Sequence, residues 1–200
     1  MRMLRSLILL AALALPTAVL ADDTVYPPGS RIGLVPPKEM TPSKRFTGFE
    51  DARRGNALTF LEMPPEAFKE LASGFKSENM KGQGFDVKTR EDLKIHDRNA
   101  VLISGLQSVP GGAVRKWLLA VEDPGLTAFV VGQAMVDPTS LPDEEMRAAL
   151  VTVDLRPPLT IEEQLAALPY HVPERAGVIP GYALLPDGRD SDTTLFWKNL

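Results

Sequence analysis

Two histidines, five carboxylate pairs downstream of Asp22-Asp23 and one aspartate triplet are the residues of this chain whose types could do chemistry. His96 and His171 are the only histidines, far apart and without a flanking ligand pattern. Two ligands cannot close a zinc site, although carboxylates could supplement them. Exposed strand-end or loop positions account for both. His96 beside Asp97, or with Glu91, is the one arrangement resembling a hydrolytic base. No serine lies in a Gly-x-Ser-x-Gly elbow. Gly82-Gln83-Gly84 lacks the further glycine and the lysine of a phosphate loop, and it leads into a strand rather than a helix.

The carboxylate pairs are Glu50-Asp51, Glu91-Asp92, Glu122-Asp123, Glu144-Glu145 and Glu162-Glu163. Adjacent residues do not face each other on a helix or a strand, so these pairs make poor acid/base dyads. Each has a role available as turn, cap or solvated face. Asp187, Asp190 and Asp192 resemble part of a calcium cage but lack the glycine at loop position six and the closing glutamate. Arg115 and Trp117 share one face of a strand, a composition found in binding sites, though a strand interior is more often core. The chain has no strong catalytic signal. It implies no cofactor and no metal site.

These residues need elements to position them, and residues 99–135 supply the centre. Three strands are expected, at 100–108, 113–121 and 126–135. Pro110-Gly111-Gly112 and Asp123-Pro124-Gly125 separate them with turn chemistry: proline presets φ and glycine supplies positive φ. Connections this short leave the strands adjacent and antiparallel. Both faces are apolar. Thr127, Phe129, Val131 and Met135 alternate with Ala128, Val130 and Ala134, so the sheet needs cover on both sides.

The flanks follow in order. Residues 31–35, bracketed by prolines, read as an edge strand. Phe46-Thr47-Gly48-Phe49 and the alternating run 57–63 follow, joined by the polar loop 51–56. Pro64-Pro65 opens a helix with Phe68, Leu71, Ala72 and Phe75 as its apolar stripe, ended by Gly82. Residues 85–89 and 93–95 read as two short strands. Ser140 is placed to cap a helix with Asp143, Glu144 and Glu145 in its first turn and Met146, Ala149, Leu150 and Val153 facing inward. Thr160 and Glu163 form a capping box for a further helix whose Ile161, Leu165 and Leu168 face inward. After Gly177, residues 179–185 could form a strand. Residues 187–192 are polar and patternless, with disorder expected there, and Phe196-Trp197 has no evident partner strand.

The N-terminus reads as a secretory signal. Met1-Arg2-Met3-Leu4-Arg5 is a basic start, residues 7–15 are apolar, and Val19-Leu20-Ala21 precedes a cut between Ala21 and Asp22. The run is too short to span a membrane, and no cysteine follows to carry a lipid. The expected organisation is therefore a cleaved signal at 1–21, one domain at 22–176 and a tail at 177–200. Removing 21 of 200 residues leaves 179 and takes Arg2 and Arg5. Twenty basic residues then face 26 acidic ones, a net charge of −6. An acidic surface disfavours nucleic acid and anionic membranes. Without cysteine there is no disulfide framework and no thiol chemistry.

Tyr26-Pro27-Pro28-Gly29-Ser30-Arg31-Ile32-Gly33-Leu34-Val35-Pro36-Pro37 and Phe46-Thr47-Gly48-Phe49-Glu50-Asp51 resemble an exported bacterial member of the Mog1/PsbP-like group. The resemblance runs over residues 25–176 in element order and character. It implies an α+β fold, a mostly antiparallel β-sheet with helices on both faces in an α/β/α sandwich, and a closing hairpin after Gly177. It carries no functional residue over. It implies an accessory or binding protein more than an enzyme, and with the export signal the expectation is a non-enzymatic, monomeric protein of the periplasm or the secreted fraction. The implied partner is another periplasmic or membrane-associated protein. The alternatives are a carrier of a small ligand or cation, using a cleft at the sheet edge or the loop 187–192, and a hydrolase with an unrecognised site.

Overall fold

Two-residue turns build most of the sheet. The computed structural model describes residues 23–166 and, beyond them, 178–179 and 197–198. The first strands are β1 (Ile32–Gly33), β2 (Thr41–Pro42), β3 (Gly48–Asp51) and β4 (Asn56–Met63), followed by helices α1 (Ala67–Gly74) and α2 (Ser77–Lys81). Four long strands come next: β5 (Phe85–Ile95), β6 (Arg98–Val109), β7 (Gly112–Asp123) and β8 (Leu126–Met135). They are linked by His96-Asp97, Pro110-Gly111 and Pro124-Gly125. Gly111 has φ 89°, the positive value that a turn with proline at its first corner requires of the second. Then come α3 (Asp143–Leu150), β9 (Asp154–Leu155), α4 (Ile161–Ala166), β10 (Val178–Ile179) and β11 (Trp197–Lys198).

The fold is α+β, dominated by a seven-stranded antiparallel sheet in the order β2-β3-β4-β8-β7-β6-β5. The meander expected from residues 99–135 is present and gains β5 as a fourth strand and outer edge. The other half is added by β4, which pairs with β8 and sets Phe60 against Val130.

Alternation sorts the strands' side chains into two clusters. Leu58, Phe60, Leu102, Trp117, Leu119 and Val130 gather with Met146 and Leu150 of α3 and with Ile32 and Leu34. Val101, Ile103 and Ala120 gather with Phe75 and Met80, with Phe68, Leu71 and Phe129 partly buried beside them. Trp117 and Leu119 of β7 are 3% and 0% exposed. Gly132, opposite Trp117, makes room for α3: a Cβ there would lie 3.0 Å from the Met146 sulfur. No helix among the described residues is long and apolar enough to cross a membrane.

Several local expectations are corrected. The strand at 31–35 shortens to β1 and pairs with β9 outside the seven-stranded sheet, because Ile32 and Leu34 are drawn into the α3 cluster. Residues 85–89 and 93–95 are one strand, β5, carried through the polar middle by its ladder to β6. The helix after Pro65 splits in two where Lys76 turns extended, at φ −75° and ψ 139°. Ser140 does not cap α3. Its hydroxyl donates to Asn56 Oδ1 at 2.7 Å, both residues buried, and Pro142 holds the cap position. The capping box of Thr160 and Glu163 forms as read, with backbone bonds of 2.8 and 3.2 Å, yet Ile161 does not face inward and is 55% exposed. β10 pairs with β11 in a ladder of its own, so Trp197 does have a partner strand. Leu168, the segment 1–21 and the polar run 187–192 lie outside the described residues.

Candidate functional site

Edge strand β5 changes its facing part way along. Val87 pairs with Gly105 and Thr89 with Ser104, so Lys88 is an extra residue, a β-bulge. Upstream, Phe85 and Val87 face the α1 cluster. Downstream, Leu93 packs in the α3 cluster, and Thr89 and Glu91 share its face. Without the bulge, odd-numbered residues on both sides of Lys88 would face the same way. Gly105 permits the close approach: a Cβ there would fall 2.1 Å from the Asp86 carbonyl oxygen.

On the α3 side this aim creates a cleft of about 150 Å³ between β5, β6, β7 and α3, with Trp117 and Leu102 in its lining. Arg147 of α3 donates Nε to Glu91 Oε1 at 2.9 Å and Nη2 to Oε2 at 2.6 Å. The hydrogen bonds from Arg147 hold the Glu91 carboxyl below the usual range. Glu91 is thus a weak proton acceptor at neutral pH. Thr89 and Ser104 share a hydroxyl–hydroxyl bond of 2.6 Å. Arg115 lies 5.6 Å from the Trp117 ring and donates to the carbonyls of Met135 and Leu141, at 3.2 and 2.7 Å, and to Asp143. Arg115 and Trp117 do share a face, as their spacing indicated, but these bonds hold the loop before α3. The arrangement is a clamp on α3.

The remaining candidates are dispersed. His96 is exposed in the β5–β6 turn with φ 46°, beside Asp97 at φ 64°. With Glu91 engaged by Arg147, no hydrolytic constellation of His96 with Glu91 is assembled. Glu50 takes bonds from Ser43 and Arg45. Asp51 caps the backbone N–H of Arg53. Glu122 accepts from Asn99, and Asp123 accepts from Arg98 and the Gly125 N–H. Among the described residues no three His, Asp or Glu side chains are placed to hold a metal ion. His171, the triplet Asp187, Asp190 and Asp192, and the cleavage pair Ala21 and Asp22 lie outside the described residues.

The larger opening lies at a sheet edge, where the carrier alternative put its cleft, but none of its lining residues was singled out from sequence. Between α1 and the β5–β6 edge runs a groove of about 580 Å³. Phe68 and Ala72 line its helix side, and Val101 its floor. Arg90 closes one end, donating Nη1 to the Ala72 carbonyl at 3.1 Å and Nη2 to Asp92 at 3.0 Å. Lys94 and Asn99, directly opposite each other in register, line the other. Lys94 is exposed and has no ion pair or side-chain hydrogen bond among the described residues. Lengths account for the opening. A seven-stranded sheet is about 29 Å wide. An eight-residue helix is about 12 Å long and 10–12 Å across. α1 has no fully buried residue. Further along the same face Leu61, paired with Phe129, is 42% exposed, whereas Leu58 and Phe60 on the other face are at most 5% exposed. The mismatch is one of helix length against sheet width, and the width comes from pairing strands distant in the chain, so no local pattern in the sequence marked it.

No family model matches the chain, and no curated protein matches it. Among solved structures it is similar to PA94 of Pseudomonas aeruginosa, a protein of unknown function described as a candidate regulator. That match has 18% identity and a TM-score of 0.43, over 72% of this chain and 90% of that one. A Bacteroides thetaiotaomicron protein matches at 10% identity and a TM-score of 0.44, over 67% of this chain and 48% of that one, so the chain spans about half of its length.

Proposed function

We propose that this is an exported, non-enzymatic accessory protein that binds another protein of the periplasm, built as an α/β/α sandwich of the Mog1/PsbP-like group. The observation that carries the reading is the half-covered sheet face, where Leu61 is exposed beside the partly buried Phe129 while the other face of the same strands is closed. With the half-buried Leu118 and Val131 on the same face, Leu61 and Phe129 form apolar surface of the kind that marks interaction sites. In the opposite cleft Glu91, Arg147 and Asp143 are engaged in holding α3.

The test is affinity capture from periplasmic extract with the wild-type chain and Leu61→Asp in parallel. A partner retained by the first and lost by the second, at equal melting temperature, supports the reading. Equal retention by both overturns the surface assignment, and turnover of a metabolite by the pure protein overturns the non-enzymatic part. Export is tested separately by N-terminal sequencing of periplasmic material. A start at Asp22 agrees with it, and a start at Met1 contradicts it.

A second reading, a small-ligand carrier, is favoured by the 580 Å³ groove, which falls within the size range of ligand clefts. Its cation-binding form, on Asp187, Asp190 and Asp192, predicts a higher melting temperature in calcium, because a ligand bound only by the native state stabilises it.

A further inference from the structure

We propose that the groove between α1 and the β5–β6 edge binds an amphipathic acid, with an apolar chain along the floor and a carboxylate at Lys94. The inference rests on the carrier reading above and names its ligand class. The floor and helix wall are apolar, through Val101, Phe68 and Ala72. Water held over such surface is displaced favourably by an alkyl chain. The polar lining follows the strand edge, with Asp92 opposite Val101 and already paired with Arg90, and Lys94 opposite Asn99, so the ligand is apolar toward the floor and helix and polar where it reaches Lys94.

The ends differ in what they offer. At the α1 C-terminal end Arg90 is already engaged by Asp92 and the Ala72 carbonyl, and Asp92 is matched in turn. At the other end the Asn99 amide is engaged by Glu122, at 2.7 Å. Lys94 is the lining cation left without an ion partner among the described residues. Its three donors suit an anionic oxygen head. A cationic head would meet Lys94 unfavourably, and a neutral head would gain no ionic contact. Arg90 also fixes one end of α1 to β5, while α1 buries no residue completely, so its helix wall can shift to fit chains of different length.

The test is titration calorimetry on the chain purified from the periplasm, using sodium decanoate below its micelle concentration. Octanoate and dodecanoate vary the chain length, and decanol and decyltrimethylammonium vary the head. Decanoate is expected to bind one to one, and affinity should rise by up to about fourfold per added methylene. Lys94→Glu should weaken binding at least tenfold while Lys94→Arg retains it, both at unchanged melting temperature because Lys94 is exposed. Ala72→Trp should block the groove. Decanol or decyltrimethylammonium binding as tightly as decanoate, with Lys94→Glu without effect, overturns the acid assignment and leaves a carrier of another class. Absence of binding by all of these probes overturns both the assignment and the carrier reading of this groove, leaving the protein-binding reading to its own test.

Discussion

Glu91 on edge strand β5 and Arg147 on helix α3, 56 residues apart in sequence, meet in a two-toothed ion pair with bonds of 2.9 and 2.6 Å. They meet because the bulge at Lys88 turns Glu91 to the α3 side, while Phe85 and Val87 remain on the α1 side. The outer strand is thereby tied to a helix that packs chiefly over the sheet's centre. Arg115 holds the start of the same helix through Asp143.

The ion pair has a pH signature. The Glu91 carboxyl is held below its ordinary value of 4.5 in the folded protein, so the pair's contribution is fully present above that value. It is lost as pH falls through the depressed folded value. Both side chains are at least a third exposed, which limits the effect of Glu91→Gln to at most about 1 kcal/mol at neutral pH. Urea unfolding at a series of pH values should show that difference narrowing below 4.5 and closing in stronger acid.

Deleting Lys88 should be far more costly than replacing it. The deletion removes the bulge and forces either Phe85 and Val87 or Glu91 and Leu93 onto the wrong face. Exposing Phe85, now 2% exposed, alone corresponds to a loss of about 1.5–3 kcal/mol. Gly105→Ala should destabilise through the same contact by about 1–3 kcal/mol, since its Cβ would meet the Asp86 carbonyl. Lys88→Ala, by contrast, should melt within a few degrees of wild type.

The core of the meander predicts its own sensitivity. Trp117→Ala should cost about 3–5 kcal/mol and Leu119→Ala about 2–5 kcal/mol, because both are buried. Leu61→Ala, at an exposed position, should stay within about 0.5 kcal/mol. Chemical denaturation of the three variants gives the ranking, and an effect of Leu61→Ala equal to the other two would mean that its face is covered.

The β5–β6 turn should be improvable. His96 and Asp97 both occupy left-handed backbone, which side chains with a Cβ adopt at a cost of about 1–2 kcal/mol each, less for Asp. Asn-Gly is the preferred pair for a two-residue hairpin of this kind. The double change His96→Asn with Asp97→Gly should raise stability by about 1 kcal/mol. It also tests the hydrolase alternative, since any hydrolytic activity that depends on His96 would vanish in a better-folded protein.

The sequence alone determined what is local. Pro110-Gly111 and Pro124-Gly125 marked two hairpins through proline's preset φ, although the positive φ expected of glycine appears at Gly111 and not at Gly125, and alternation along residues 100–135 showed that both sheet faces bury apolar side chains. Thr160 and Glu163 specified their capping box because both partners lie within one turn. Tertiary structure decided whatever depended on partners distant in the chain. Ser140 reads as a helix cap until Asn56, 84 residues away, supplies a buried acceptor. Residues 31–35 read as an edge strand until Leu155 offers Ile32 a partner outside the main sheet. The polar stretch of β5 reads as a break, because a strand's own residues do not disclose the ladder that carries it. Glu91 looked like half of an adjacent carboxylate pair, and only the bulge at Lys88 and the approach of α3 gave it Arg147. The groove at Lys94 belongs to the same class. It exists because two short helices, α1 and α2, leave part of a much wider sheet face uncovered, a mismatch that arises only once seven strands stand side by side.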